Sequence, residues 1–311
     1  MRLSLRPFLV TCVIGVAFLL ASRAAIARQA ATKTLYVTAL DTKGVPIGDL
    51  AASEIEAKAG GKAMEIVRVE LAQMPFRIAV IVSDAGIGGF QQSLANFMQK
   101  LLGRAEFGLI SVITQPEVVS DYSSEGAVLR EAVRRVGPRG RARGAGAQLM
   151  EAIQDATKGV VSDGRRPVIL VLRVGGEAST TIEGDDVRED LRRSGAVLYV
   201  VSTVGAQRPN APSARTGISS EQAQMQDADN ATSTLNIQQV LGDGSKESGG
   251  RHDQVISTTL VPALERIADE LLSQYALTCV LPAGVKANDK LSFSTKRKNV
   301  KIQAPARLAT R

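Results

Sequence analysis

The chain has 311 residues, 44% of them hydrophobic, with 38 Lys and Arg against 31 Asp and Glu, one histidine and two cysteines. That is ample apolar content for a packed core without disulfide or metal staples. A net charge of +7 is too small to imply a nucleic-acid partner, and no His/Cys/carboxylate cluster has zinc spacing.

Residues 1–27 stand apart. Arg2 and Arg6 form a basic start, Phe8 to Ala21 an apolar run, and Ala25-Ile26-Ala27 a small-x-small cleavage site. This is the pattern of a secretory signal peptide, and the run is shorter than the ~20 residues a membrane span needs. The expected protein is therefore exported, periplasmic or extracellular, with no stable membrane insertion after cleavage. Removing the leader takes away three arginines and lowers the balance to 35 basic against 31 acidic residues, or +4. Cys279 is then the only cysteine, in an alternating stretch that reads as a strand holding a buried thiol.

From Thr34 the pattern is β. Leu35, Val37 and Ala39 alternate with polar neighbours, Asp41-Thr42-Lys43-Gly44 is a turn, Leu50 to Ala59 is short and mixed, and Gly60-Gly61 precedes another strand carrying Met64 to Val69. The stretch Phe76 to Leu102 organises the middle of the chain. Ile78 to Val82 is a β-branched run of the kind buried on both faces, and Phe90, Leu94, Phe97, Met98 and Leu101 form one helical stripe. Between them Ser83-Asp84-Ala85-Gly86-Ile87-Gly88-Gly89 makes a tight strand-to-helix turn. Further buried strands come at 107–114, 167–174 and 196–203, with a short edge strand at 117–121. Helices alternate with them: one after a cap at Ser123-Ser124-Glu125, one at 148–158, and one capped by Asp185-Asp186. This rhythm predicts an open, mostly parallel, doubly wound α/β sheet, whose ligands bind outside the carboxyl ends of the strands.

Residues 207–234 are polar, contain two prolines and read as a flexible loop, with a short helix somewhere in 235–250. A final helix carries Leu260, Leu264, Ile267, Leu271 and Tyr275. After it, 275–281, 291–295 and 300–304 return to β. Neither terminal β segment can bury a core alone, so they are expected to pair. The expected organisation is a β segment at 28–73, an α/β domain at 74–274 with a loop at 206–234, and a β segment at 275–311 packing on the first.

This order of parts resembles a family. Val37 to Leu50, VTALDTKGVPIGDL, is similar to the V-T-V-x-D-x-x-G-x-P-V-x-x-L opening of bacterial exported VWFA-related proteins, and Ile55 to Lys62 fits the F-x-V-x-x-x-G-K that comes next. Leu264 to Leu277, LERIADELLSQYAL, resembles their I-A-x-E-L-x-x-Q-Y-x-L signature, and Glu247-Ser248-Gly249-Gly250-Arg251 their E-T-G-G-R. The resemblance implies a von Willebrand factor A domain in the middle of the chain. In that class Mg²⁺ is held by D-x-S-x-S after the first strand, a Thr in a middle loop and an Asp after the fourth strand. Here Ser83, Ala85 and Ile87 stand at the first three positions, or Asp84, Gly86 and Gly88 when the alignment is shifted by one, with Ala147 near the fourth and Gly175 at the last. The metal site reads as degenerate, so no metal and no cofactor is expected.

The residues themselves suggest an anion site instead. Arg134, Arg135, Arg139, Arg141 and Arg143 lie in one loop, and Arg173 ends a strand aimed at the same edge, where guanidinium forks could take a partner's carboxylate. The candidate binding set is Ser83, Asp84, Gly86, Arg139, Arg141, Arg143, Arg173 and Glu177. The glycines after Ser83 lack G-x-G-x-x-G spacing, and there is no P-loop. His252, beside Asp253 in a polar stretch, is read as a surface histidine without a placed nucleophile, so no catalytic residue is assigned. The sequence reading is an exported, non-catalytic protein-interaction module with an acidic protein partner. The alternative is a binder of anionic or nucleotide-type small ligands, with or without a hidden enzymatic activity.

Overall fold

A computed structural model describes residues 32–83, 89–113, 115–136, 145–174, 180, 182–203, 229 and 231–310. The leader at 1–27, Asp84, Gly86, Arg139, Arg141, Arg143, Gly175, Glu177 and most of the 206–234 loop lie outside the described residues.

Twelve named strands form two six-stranded sheets. The first is antiparallel and combines β1 (Thr32–Asp41), β2 (Ile55–Ala59) and β3 (Lys62–Leu71) with β10 (Tyr275–Val280), β11 (Leu291–Thr295) and β12 (Val300–Gln303), in the order β11-β2-β3-β10-β1-β12. The two ends of the chain thus share one hydrogen-bonded sheet: β1 lies between β10 and β12, with Leu35 opposite Leu277 and Ala39 opposite Ile302. Its buried face gathers Leu35, Val37, Ala57, Met64, Leu277 and Cys279. Burial pushes the Cys279 thiol up to about 11, so it stays protonated and inert near neutrality.

The opening turn is held by Asp41, whose Oδ1 accepts from the amides of Lys43 and Val45, both at 2.8 Å. The mixed segment before the hairpin resolves into a single 3₁₀ turn (Ala52–Glu54) followed directly by β2. There Ile55, Ala57 and Ala59 alternate inward, and Ala57 and Ala59 pair on both sides, which settles a pattern too short to assign from periodicity.

The second sheet contains β4 (Phe76–Ser83), β5 (Ala105–Val112), β6 (Pro116–Ser123), β7 (Arg166–Val174), β8 (Val197–Thr203) and β9 (Arg251–Val255), in the order β6-β5-β4-β7-β8-β9. All neighbours are parallel except the edge strand β6. One face is covered by α1 (Gln91–Leu101), α2 (Gly126–Arg135) and α6 (Leu260–Leu272). The other is covered by α3 (Ala145–Gly159), α4 (Gly184–Ser194) and α5, a helix over 231–247 that contains a π-helical stretch, Gln239–Gly244. This is a mixed α/β fold with a mostly parallel sheet.

Four local expectations need correction. Residues 231–234, placed in the loop, open α5: Ser233 is buried, accepts from the Thr180 amide and donates to the Thr180 carbonyl, both at 3.0 Å. Tertiary pairing there overrides a polar composition. Of the expected cap Ser123-Ser124-Glu125, Glu125 does stand at the N-cap, but no side chain makes a capping bond and Ser123 ends β6. Asp185 and Asp186 lie in the first turn of α4, where they suit the helix dipole, while Glu183 is the cap. Finally, 251–255, read only as a polar stretch, is a strand.

The two sheets meet where both linkers cross. The Ala72 amide donates to the Gln274 carbonyl at 2.8 Å, and Arg166 donates from Nε to the Met74 carbonyl at 2.7 Å and from Nη1 to Gln274 Oε1 at 2.8 Å. Tyr275 then reaches the opening segment, donating to the Ile47 carbonyl at 2.7 Å and accepting from the Leu50 amide at 3.0 Å. The Gln of the C-terminal signature therefore clasps the two sheets, while its Tyr ties the opening segment to the antiparallel one.

Candidate functional site

Strand order reverses between β4 and β7, so the crevice of this sheet opens at their carboxyl ends. Ser83 pairs with Arg173 across those strands, and Arg173 with Ser202 of β8. Ile81, Val171 and Val200 belong to the α3, α4 and α5 face. Because side chains alternate, Ser83, Arg173 and Ser202 form a row on that same face. His252 of β9 pairs with Val200 and reaches along the same face to Ser202, with Nε2 2.8 Å from Oγ.

Arg173 is half-buried, and burial lowers its pKa from the usual guanidinium value. Among the described residues no carboxylate pairs with it. His252 is also half-buried, and its pKa is lowered by burial, then by the charge of Arg173; Asp253 opposes this and Lys246 adds to it. The expected surface histidine is therefore instead a neutral, hydrogen-bonded group in a positive environment. A catalytic triad is not formed. Asp253 pairs in register with Val201 on the opposite face and is held by Arg251 Nε at 2.7 Å. It cannot orient the imidazole, and Ser202 is buried.

The His252 shift has a direct consequence. A histidine whose folded pKa is depressed contributes stability that is complete above its unfolded pKa of about 6.5 and is lost as pH falls toward the depressed value. The thermal midpoint should therefore fall between about pH 6.5 and 5, and His252→Gln should flatten that slope. Superimposable profiles for the two proteins would show that His252 does not titrate against folding.

Of the residues singled out in the sequence, Ser83 and Arg173 are brought together. Asp84, Gly86, Arg139, Arg141, Arg143 and Glu177 lie outside the described residues. Arg134 and Arg135 end α2. Arg134 is an exposed partner of Glu131 at 3.3 Å, and Arg135 is tied to the Val119 carbonyl. Ala147 falls in the first turn of α3. Ser202 and His252 were missed, being 50 residues apart and brought together only by the parallel β8–β9 pair. Among the described residues no three of His, Cys, Asp and Glu gather as metal ligands. The described part of the crevice suits a divalent cation poorly, because Arg173 presents a like charge directly across from Ser83.

No protein-family model matches the chain, and no curated protein does. Solved structures do. The conserved hypothetical protein BatB from Bacteroides thetaiotaomicron is 14% identical over 62% of this chain and 96% of its own, with a TM-score of 0.41. The SpRpn10 VWA domain is 11% identical over 61% of this chain and 94% of its own, with a TM-score of 0.38. The vWF domain of the type V pili tip protein Mfa5 from Porphyromonas gingivalis is 10% identical over 63% of this chain and 95% of its own, with a TM-score of 0.42. Among the described residues no helix is long and apolar enough to cross a membrane.

Proposed function

We propose that this chain is an exported, non-catalytic interaction module that takes an acidic group of a protein partner at the carboxyl edge of its parallel sheet, without a metal. The observation that carries the reading is Arg173, a half-buried cation with no carboxylate partner among the described residues, set between Ser83 and Ser202 beside His252. A carboxylate entering this row meets a guanidinium fork, two hydroxyls and an imidazole that gains basicity as the anion arrives. In this reading the A-type domain spans 74–274, the paired end segments 28–73 and 275–311 form a second domain, and residues 1–27 direct export. The proposed binding set also includes Asp84, Gly86, Arg139, Arg141, Arg143 and Glu177.

The test is binding of an Asp- or Glu-tipped peptide to the full chain. Affinity should fall with added salt and rise as pH drops from about 7 to 5.5, because binding stabilises the His252 imidazolium. Arg173→Ala should weaken it about tenfold or more, the worth of a charge-assisted hydrogen bond. EDTA and millimolar Mg²⁺ should leave the unfolding midpoint unmoved, whereas a cation bound at ~100 times its dissociation constant would add about 2.7 kcal/mol. A Mg²⁺-dependent rise reversed by EDTA would overturn the metal-free reading. Peptide binding indifferent to Arg173 would overturn the site.

A further inference from the structure

At the opposite, amino edge of the parallel sheet lies a cavity of about 130 Å³. The starts of β7 and β8 form its floor, the end of α4 and Glu247 one wall, β1 another, and the C-terminal tail (Pro305, Arg307, Ala309) crosses it. The tail is fastened there by the Ala306 amide on the Glu247 carbonyl at 2.8 Å and the Leu308 amide on the Asp289 carbonyl at 2.9 Å.

The walls are mainly apolar, with Leu35, Val168, Leu191 and Val197 among them, but the charged residues are one-sided. Five cations line the cavity, Lys33, Arg166, Arg188, Arg192 and Arg307, against one carboxylate, Glu247. Glu247 is already committed to Arg188 at 2.6 Å and Arg192 at 3.6 Å. Arg166 is the informative member. It is 3% exposed, its cation lies 3.6 Å from the Phe76 ring, and its Nη2 makes no hydrogen bond. Among the described residues no carboxylate pairs with it. A buried guanidinium satisfied only by neutral acceptors and a ring face still favours an anion. Apolar walls with a convergent polar group are the make-up of a small-ligand site, and a cavity of ~150 Å³ is large enough for benzene.

We propose that this cavity binds a small organic carboxylate, its anionic head on Arg166 and a compact apolar body, about the size of one aromatic ring, against the β7, β8 and α4 wall. The site is independent of the Arg173 edge, because it lies at the other end of the same strands.

The probe is benzoate, compared with benzyl alcohol, titrated into the full chain by calorimetry and followed by thermal unfolding. Benzoate should bind one-to-one and raise the midpoint, and benzyl alcohol should bind about tenfold or more weakly. Ala309→Phe, a change in the terminal tail that fills the cavity without touching the core strands, should abolish benzoate binding. Arg166→Met should erase the preference for benzoate over the alcohol. The proposal is overturned if neither ligand binds at millimolar concentration, if both bind equally to the unmodified chain, or if Ala309→Phe retains benzoate binding.

Discussion

Arg251→Ala should be among the most destabilising single substitutions on the surface of this protein, at about 3–5 kcal/mol. Glu270, in α6, is 1% exposed; its Oε1 is held by Arg251 Nη1 and its Oε2 makes no hydrogen bond. Arg251 also holds Asp253 at 2.7 Å, but that carboxylate retains solvent access and can be hydrated if released. Deleting the arginine therefore leaves one carboxylate stranded against the apolar layer between α6 and the sheet, and its desolvation is no longer offset. Replacing both members, Arg251→Met with Glu270→Leu, should restore most of the loss, since a well-packed apolar pair is often as stable as a buried ion pair. Urea unfolding of the two single variants and the double variant decides this. A loss below about 1 kcal/mol for Arg251→Ala, or a double variant no better than the single one, would show that Glu270 is not stranded.

That ion pair also shows what could and could not be read from the chain. The resemblance placed Arg251 at the end of one signature and Glu270 in the middle of another, 19 residues apart, with nothing to say they touch. The structure makes them one contact that pins the edge strand β9 to α6. The strands whose residues are apolar, such as Ile78–Val82, announced themselves because burial on both faces leaves a continuous hydrophobic run. β9 did not, because Arg251, His252, Asp253 and Gln254 are all polar; its strand character comes from the parallel ladder to β8. The same cause hid the Ser202–His252 pair and the start of α5, where Ser233 is buried by its bonds to Thr180. The meeting of the chain ends was legible for a cruder reason. Neither segment had enough apolar residues to cover itself, and β10 alternates between buried and half-buried residues along its whole length, as a strand with one face on a core must. Arg173 could be placed at the crevice from strand order alone, whereas the lack of a carboxylate beside it among the described residues could be seen only once the neighbouring strands were in register.

Gly250→Ala should cost about 3 kcal/mol or more, although the change adds one methyl group and removes no contact. A Cβ at Gly250 would overlap the Leu198 carbonyl oxygen and stand 2.7 Å from its carbon. Both are backbone atoms at the start of β8, so no side chain can swing aside. The position needs glycine for close approach, because β9 enters the sheet by lying directly on the β8 main chain. Gly249 carries the second constraint: its φ is +89°, and a Cβ there would meet Ala304 and Pro305 backbone atoms at 2.8 Å. Together the two glycines let the end of α5 turn between β8 and the tail, while Ser248 Oγ accepts the Leu198 amide at 2.9 Å. In the variant the chain must back away from Leu198, loosening the β8–β9 ladder and the Ser202–His252 contact with it. Hydrogen exchange should accordingly accelerate at the β9 amides more than in β4 or β5. Gly242→Ala is the control. Nothing lies within 4 Å of its added carbon, and it should stay within about 0.5 kcal/mol of the parent. Equal stability of the two alanine variants in urea would mean that residue 250 does not approach β8 as closely as described.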